Sequence, residues 1–74
     1  MDSLYVGKIY SFYYTNYRGE KETRRVRFES VSYGRNEYHG DDYQWFLNGH
    51  CMERNARRTF AMKDIVGTSI KDAN

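Results

Sequence analysis

The sequence contains no proline, a single cysteine at Cys51, and no long apolar run. Without proline, collagen-like, polyproline and Pro-rich linker readings fall away together. One cysteine excludes an internal disulfide and leaves a cysteine-built zinc site without its ligands, which suits a reducing compartment. No segment approaches the roughly 20 apolar residues of a membrane-spanning helix. Met1-Asp2-Ser3-Leu4 opens without the basic stretch and apolar run of an export signal. These absences together point to a cytoplasmic chain with no membrane partner. Helix signals are equally scarce: Asp2 or Ser3 capping one turn through Leu4 and Tyr5 is the only candidate. The 74 residues allow one small domain, read as 1–74 with its core over 8–66 and a frayed tail at 71–74. The initiating Met1 and the polar tail are those expected of a whole protein.

Aromatic side chains are plentiful. Mean hydropathy is only −0.97, but eight Tyr, four Phe and one Trp make the chain 18% aromatic. Rings of that size supply faces to bury, so the chain is expected to fold. Twelve Lys and Arg against ten Asp and Glu leave a net charge of +2, too small an excess to demand a polyanionic partner. Eight of those twelve are arginine, which grips phosphate and carboxylate with paired N–H groups and stacks on rings, a tilt toward anion recognition.

Alternation defines the elements. Residues 8–17 (KIYSFYYTNY) read as a strand with Tyr10, Phe12 and Tyr14 on one face and Ile9, Ser11, Tyr13 and Thr15 on the other. Gly19 supplies the positive φ of a tight reversal. Residues 22–33 return with Arg24, Val26, Phe28 and Ser30 opposite Thr23, Arg25, Arg27 and Glu29. Val31 and Tyr33 fall out of register with Val26 and Phe28, which predicts a bulge near Glu29 to Val31 that bends the strand. Residues 34–42 (GRNEYHGDD) read as a loop, and 43–51 as the central strand, with Tyr43, Trp45 and Leu47 opposite Gln44, Phe46 and Asn48. Asn55 marks a further turn; Arg58, Phe60 and Met62 then alternate against Thr59 and Ala61, and residues 64–70 read as a turn and a closing edge strand. Four to five short antiparallel strands in so short a chain predict an all-β fold. The expected form is a small SH3-like half-open barrel with at most a short N-terminal helical turn.

The stretch Gln44-Trp45-Phe46-Leu47-Asn48-Gly49-His50-Cys51, followed by Arg58-Thr59-Phe60-Ala61-Met62-Lys63-Asp64-Ile65, resembles the WYL domain. Phe12-Tyr13-Tyr14 with Arg18-Gly19-Glu20 and Arg24-Arg25-Val26 is similar to the first hairpin of that family, so the resemblance runs from about residue 8 to 66. It implies an SH3-like β-fold and a ligand-sensing, regulatory role in bacterial or phage proteins. It also implies a pocket of aromatic and basic residues for nucleic acid, nucleotides or other anions. By position, the ligand-binding residues would be Tyr14, Arg25, Trp45, Phe46, His50 and Arg58. Phe46 stands at the middle letter of the family's name, Phe28 where many members carry Pro and Asp64 where the last strand often carries Arg. No helix-turn-helix precedes the strands in this sequence.

Arg24, Arg27, Arg54 and Arg57 provide accessory basic groups beside Arg25 and Arg58. Brought onto one curled surface they would share a ligand's charge; alternatively they solubilise a small barrel and pair with Glu20, Glu22, Glu29 and Glu53. The tyrosines at 10, 13, 14, 17, 33, 38 and 43 together with Trp45 exceed what so small a core encloses. Exposed rings beside arginine form a stacking platform for bases, or equally a protein interface for a host partner or for self-association. His39, beside Asp41 and Asp42, and His50, beside Cys51, suggest a metal site on paper, but the loop histidine reads as solvated and His50 as the maker of a structural or ligand hydrogen bond. His50 and Cys51 are strand neighbours pointing to opposite faces, which denies a nucleophile–base contact. The expectation is a binding module with no enzymatic activity, metal or cofactor, recognising a nucleotide or single-stranded nucleic acid, with a protein–protein interaction module as the alternative.

Overall fold

The computed structural model describes residues 4–16, 18–37 and 40–73. Its strands are β1 (Ile9–Thr15), β2 (Lys21–Gly34), β3 (Gln44–Cys51), β4 (Ala56–Ala61) and β5 (Ile65–Asp72), with a 3-10 turn over Met62–Asp64 between the last two. All are antiparallel in one sheet of order β4-β3-β2-β1-β5. The fold is the expected all-β, half-open type: β4 and β5 are the sheet's two edges and do not pair with each other.

The curl of the sheet follows from ring contacts. β1 and β4 are three strand spacings apart, about 14 Å in a flat sheet. Yet the Phe60 ring lies 5.3 Å from Phe12 and 5.0 Å from Tyr14, both edge-on. The inner face thus closes over Tyr10, Phe12, Tyr14, Val26, Phe28, Leu47, Cys51, Phe60 and Ile65. Alternation placed all of these but Cys51 and Ile65 on one side of their strands.

Turns sit where backbone chemistry requires them. Asn16 Oδ1 accepts the N–H groups of Arg18 (2.9 Å) and Glu20 (3.0 Å), and Gly19 adopts φ 80°, closing the β1–β2 hairpin. Asn55 takes φ 49° in the β3–β4 turn. The β2–β3 register shifts between Phe28 and Ser30, the bulge expected from the sequence. There the backbone of Phe28 turns to the N-terminal segment, donating to Lys8 O and accepting from Gly7 N–H.

Several expectations need correction. The tail is not frayed at Lys71 and Asp72, which continue β5, and Ala73 N–H donates to Ile9 O. β2 occupies the centre of the sheet order, whereas β3 is the strand buried on both faces, from Phe46 to Gly49. β4 ends at Ala61, because Met62 to Lys63 enter the 3-10 turn. Leu4 and Tyr5 form no helical turn. The capping candidates Asp2 and Ser3 lie outside the described residues, as do Tyr17, Tyr38, His39 and Asn74.

Candidate functional site

The pocket residues expected from the sequence do not converge. Tyr14 is buried on the inner face against Phe60. Burial pushes its phenol above the ordinary value; the Asp64 and Glu22 carboxylates add to this and Arg24 opposes it. Phe46 is buried at 4% exposure on the opposite face from Leu47. Trp45, at 55% exposure, lies at the far end of β3 with Tyr33 as its cross-strand neighbour. Arg58 is exposed and shares the inner-face register of Gly49, while Arg24 is half-buried on that face, paired with Glu22.

The outer face of the sheet gathers a different set. Since Tyr10, Phe12 and Tyr14 point inward, Ile9, Ser11, Tyr13 and Thr15 point outward together with their cross-strand partners. Those partners are Arg27, Arg25, Thr23 and Lys21. On the other side of β2, Arg27 is aligned with His50, and His50 with Arg57. Lys71 of β5 pairs with Ser11 and extends the row of Arg25. Lys21, Arg25, Arg27, His50, Arg57 and Lys71 therefore share one surface, with Tyr13 at 42% exposure among them.

Two carboxylates moderate this charge. Glu53 accepts both the Arg25 N–H (2.8 Å) and its guanidinium Nε (2.9 Å). Partial burial works to raise the Glu53 carboxyl, but these bonds from Arg25 outweigh it and hold the group below its ordinary value. Arg57 Nε lies 3.0 Å from Glu29 Oε1. Among the described residues no carboxylate forms an ion pair with Arg27, Arg54 or Arg58. His50 donates from Nε2 to Asn55 Oδ1 at 3.0 Å, which holds the ring against the β3–β4 turn.

Next to the basic row, Asn48 anchors a polar one. It donates to Ser30 Oγ (3.2 Å) and Ser32 Oγ (3.1 Å) and accepts from Thr59 Oγ1 (2.9 Å), tying β2, β3 and β4 together on the outer face.

No protein-family model, curated protein or solved structure matches this chain. The site therefore rests on its own chemistry. Among the described residues no cluster of three or more His, Cys, Asp and Glu is placed to hold a metal ion, and no helix is long and apolar enough to cross a membrane. His50 lies outward and Cys51 is fully buried inward, so the two do not form a reactive pair. Tyr13, Lys21 and Lys71 are additions to the set the sequence singled out. The signal for Tyr13 was its alternation against the core-facing Tyr14, whereas Lys71 joins through the β1–β5 pairing of chain ends.

Proposed function

We propose that the protein is a nucleic-acid-binding module that carries the sugar–phosphate backbone of a single strand across the outer face of its sheet, in a regulatory or ligand-sensing role without catalysis. The observation that carries this reading is the alignment of Arg27, His50 and Arg57 across three adjacent strands, continued by Arg25 and Lys71. Neighbouring strands lie about 4.8 Å apart and alternate residues about 6.8 Å, so Arg25, Arg27, Arg57 and Lys71, with the His50 ring among them, form a grid of hydrogen-bond donors in which Glu53 and Glu29 offset part of the charge. A backbone with a phosphate at every nucleotide engages such a grid at several points, each contact releasing counterions. Tyr13 is the exposed ring within it and the candidate for stacking on a base, the role the sequence suggested for Tyr14. The resemblance to WYL domains points to the same ligand chemistry.

Anisotropy of a labelled single-stranded oligonucleotide, titrated at low and at physiological salt, tests this. Binding should weaken with salt, the logarithm of the affinity falling by about 0.7 per phosphate engaged for each tenfold rise. Arg27→Glu and Arg57→Glu should weaken binding strongly, and Arg58→Glu, on the inner side, should not. Undiminished affinity in the Arg27 variant would remove the outer face from consideration.

A further inference from the structure

The β2–β3 hairpin extends past the rest of the sheet. β1 accompanies β2 only as far as Arg27 and β4 accompanies β3 only from Phe46, so beyond these points the hairpin has no third strand. Its inner face, continuous with the core through the Val31–Leu47 pair, is left uncovered. Val31, Tyr33, Tyr43 and Trp45 are exposed there at 47, 59, 66 and 55%. The rings form a row, Tyr33 lying 6.1 Å from Tyr43 in a stacked arrangement and 5.2 Å from Trp45 in a tilted one. Contiguous exposed apolar surface of this kind on a small domain marks a contact site.

The charge around the row selects the occupant. The segment that closes the hairpin carries Arg35 against Glu37, Asp41 and Asp42, and the Lys63 ammonium approaching Gly40 offsets only part of this negative charge, which is opposite in sign to the outer face. A polyanion would meet these carboxylates, and a neutral apolar partner would desolvate them without compensation. A cation over the rings satisfies both features, since the ring face attracts positive charge and the carboxylates neutralise it. The chain contains its own example: the Arg35 guanidinium sits 5.7 Å over the Tyr43 ring while its Nε lies 3.1 Å from Asp41 Oδ1. The Tyr33 and Trp45 rings at the other end of the row present the same kind of exposed aromatic surface.

We propose that this hairpin face binds a basic peptide segment, seating a lysine or arginine side chain over Trp45 and Tyr33 with the loop carboxylates balancing its charge. The site is separate from the outer face, and its test is independent of nucleic-acid binding.

The probe is a labelled, acetylated peptide of alternating arginine and serine, compared with one of alternating glutamine and serine and followed by anisotropy with the intact protein. The arginine peptide should bind saturably, and the glutamine peptide about tenfold more weakly or worse. Trp45→Ala and the surface variant Asp42→Asn should each reduce the affinity several-fold, whereas Arg27→Glu should leave it unchanged or raise it. Far-ultraviolet circular dichroism confirms folding of each variant, and Asp42→Asn keeps the test decisive if Trp45→Ala does not fold. Equal binding of the two peptides, or full affinity in a folded Trp45 or Asp42 variant, overturns the proposal. So does a protein dimer dispersed by Trp45→Ala, which would make a second copy the occupant, or an oligonucleotide whose binding depends on Trp45.

Discussion

Gly49 and Arg27 approach so closely that a methyl group on Gly49 would stand 2.3 Å from the Arg27 carbonyl oxygen. It would also lie 2.5 Å from Val26 Cγ1. Gly49 is the cross-strand partner of Phe28, the last pair before the bulge in β2. Backbone cannot move aside as a flexible side chain does. Gly49→Ala should therefore cost about 1–3 kcal/mol, the usual toll of overpacking. A urea unfolding midpoint equal to that of the parent would refute this close approach.

Leu47 is 2% exposed and pairs with Phe60 and Val31 across both neighbouring strands. Leu47→Ala should lose ~2–5 kcal/mol, a large share of what a small domain has. Thermal unfolding reads this directly, and an unshifted melting temperature would contradict the core assignment.

Trp45 and Phe46 are chain neighbours with opposite fates, 55% and 4% exposed. Phe46→Ala should destabilise by about 3–5 kcal/mol, and Trp45→Ala by less than about 1 kcal/mol. Parallel denaturation of the two variants checks the facing of β3. Equal losses would mean that the uncovered hairpin face is in fact packed.

Asn48 is the buried polar residue that links Ser30, Ser32 and Thr59. Asn48→Ala removes the donor and acceptor together and should cost about 1–3 kcal/mol. Amide exchange along β4 should also quicken, since Thr59 loses its side-chain tie to β3; unchanged exchange would leave the network without a structural role.

Glu53 contributes to the acid limb of stability. Its carboxyl titrates lower in the folded chain than the ordinary 4.5, because Arg25 bonds to the ionised form. The resulting stabilisation is present above that ordinary value and is lost as pH falls through the depressed one. Glu53→Gln should thus destabilise at neutral pH and flatten the fall in stability below about pH 4.5. Denaturation midpoints measured across this range check the sign, and an unaltered acid limb would show that the Arg25 contact is not maintained in solution.

Much of this architecture was legible in the chain because strand alternation is a local rule. A period of two assigns Phe12, Val26, Leu47 and Phe60 to one face without knowledge of any partner. The change of phase between Phe28 and Val31 disclosed the bulge by the same logic. Gly19 and Asn55 announced turns because few other residues adopt left-handed backbone at small cost.

The candidate sites depended on distances between chain segments that no local pattern encodes. The sequence separates Arg27, His50 and Arg57 by more than twenty and then seven positions; strand register brings them into one row. It places Trp45 beside Phe46, and only the position of β4 and the 3-10 turn decides that one ring is covered and the other left bare. Composition and alternation determined an all-β domain, its inward residues and its turns. Tertiary structure decided which outward residues meet, where the hairpin outruns its neighbours and why position 49 must be glycine. Register and curl arise from packing among distant strands rather than from the preferences of any one of them.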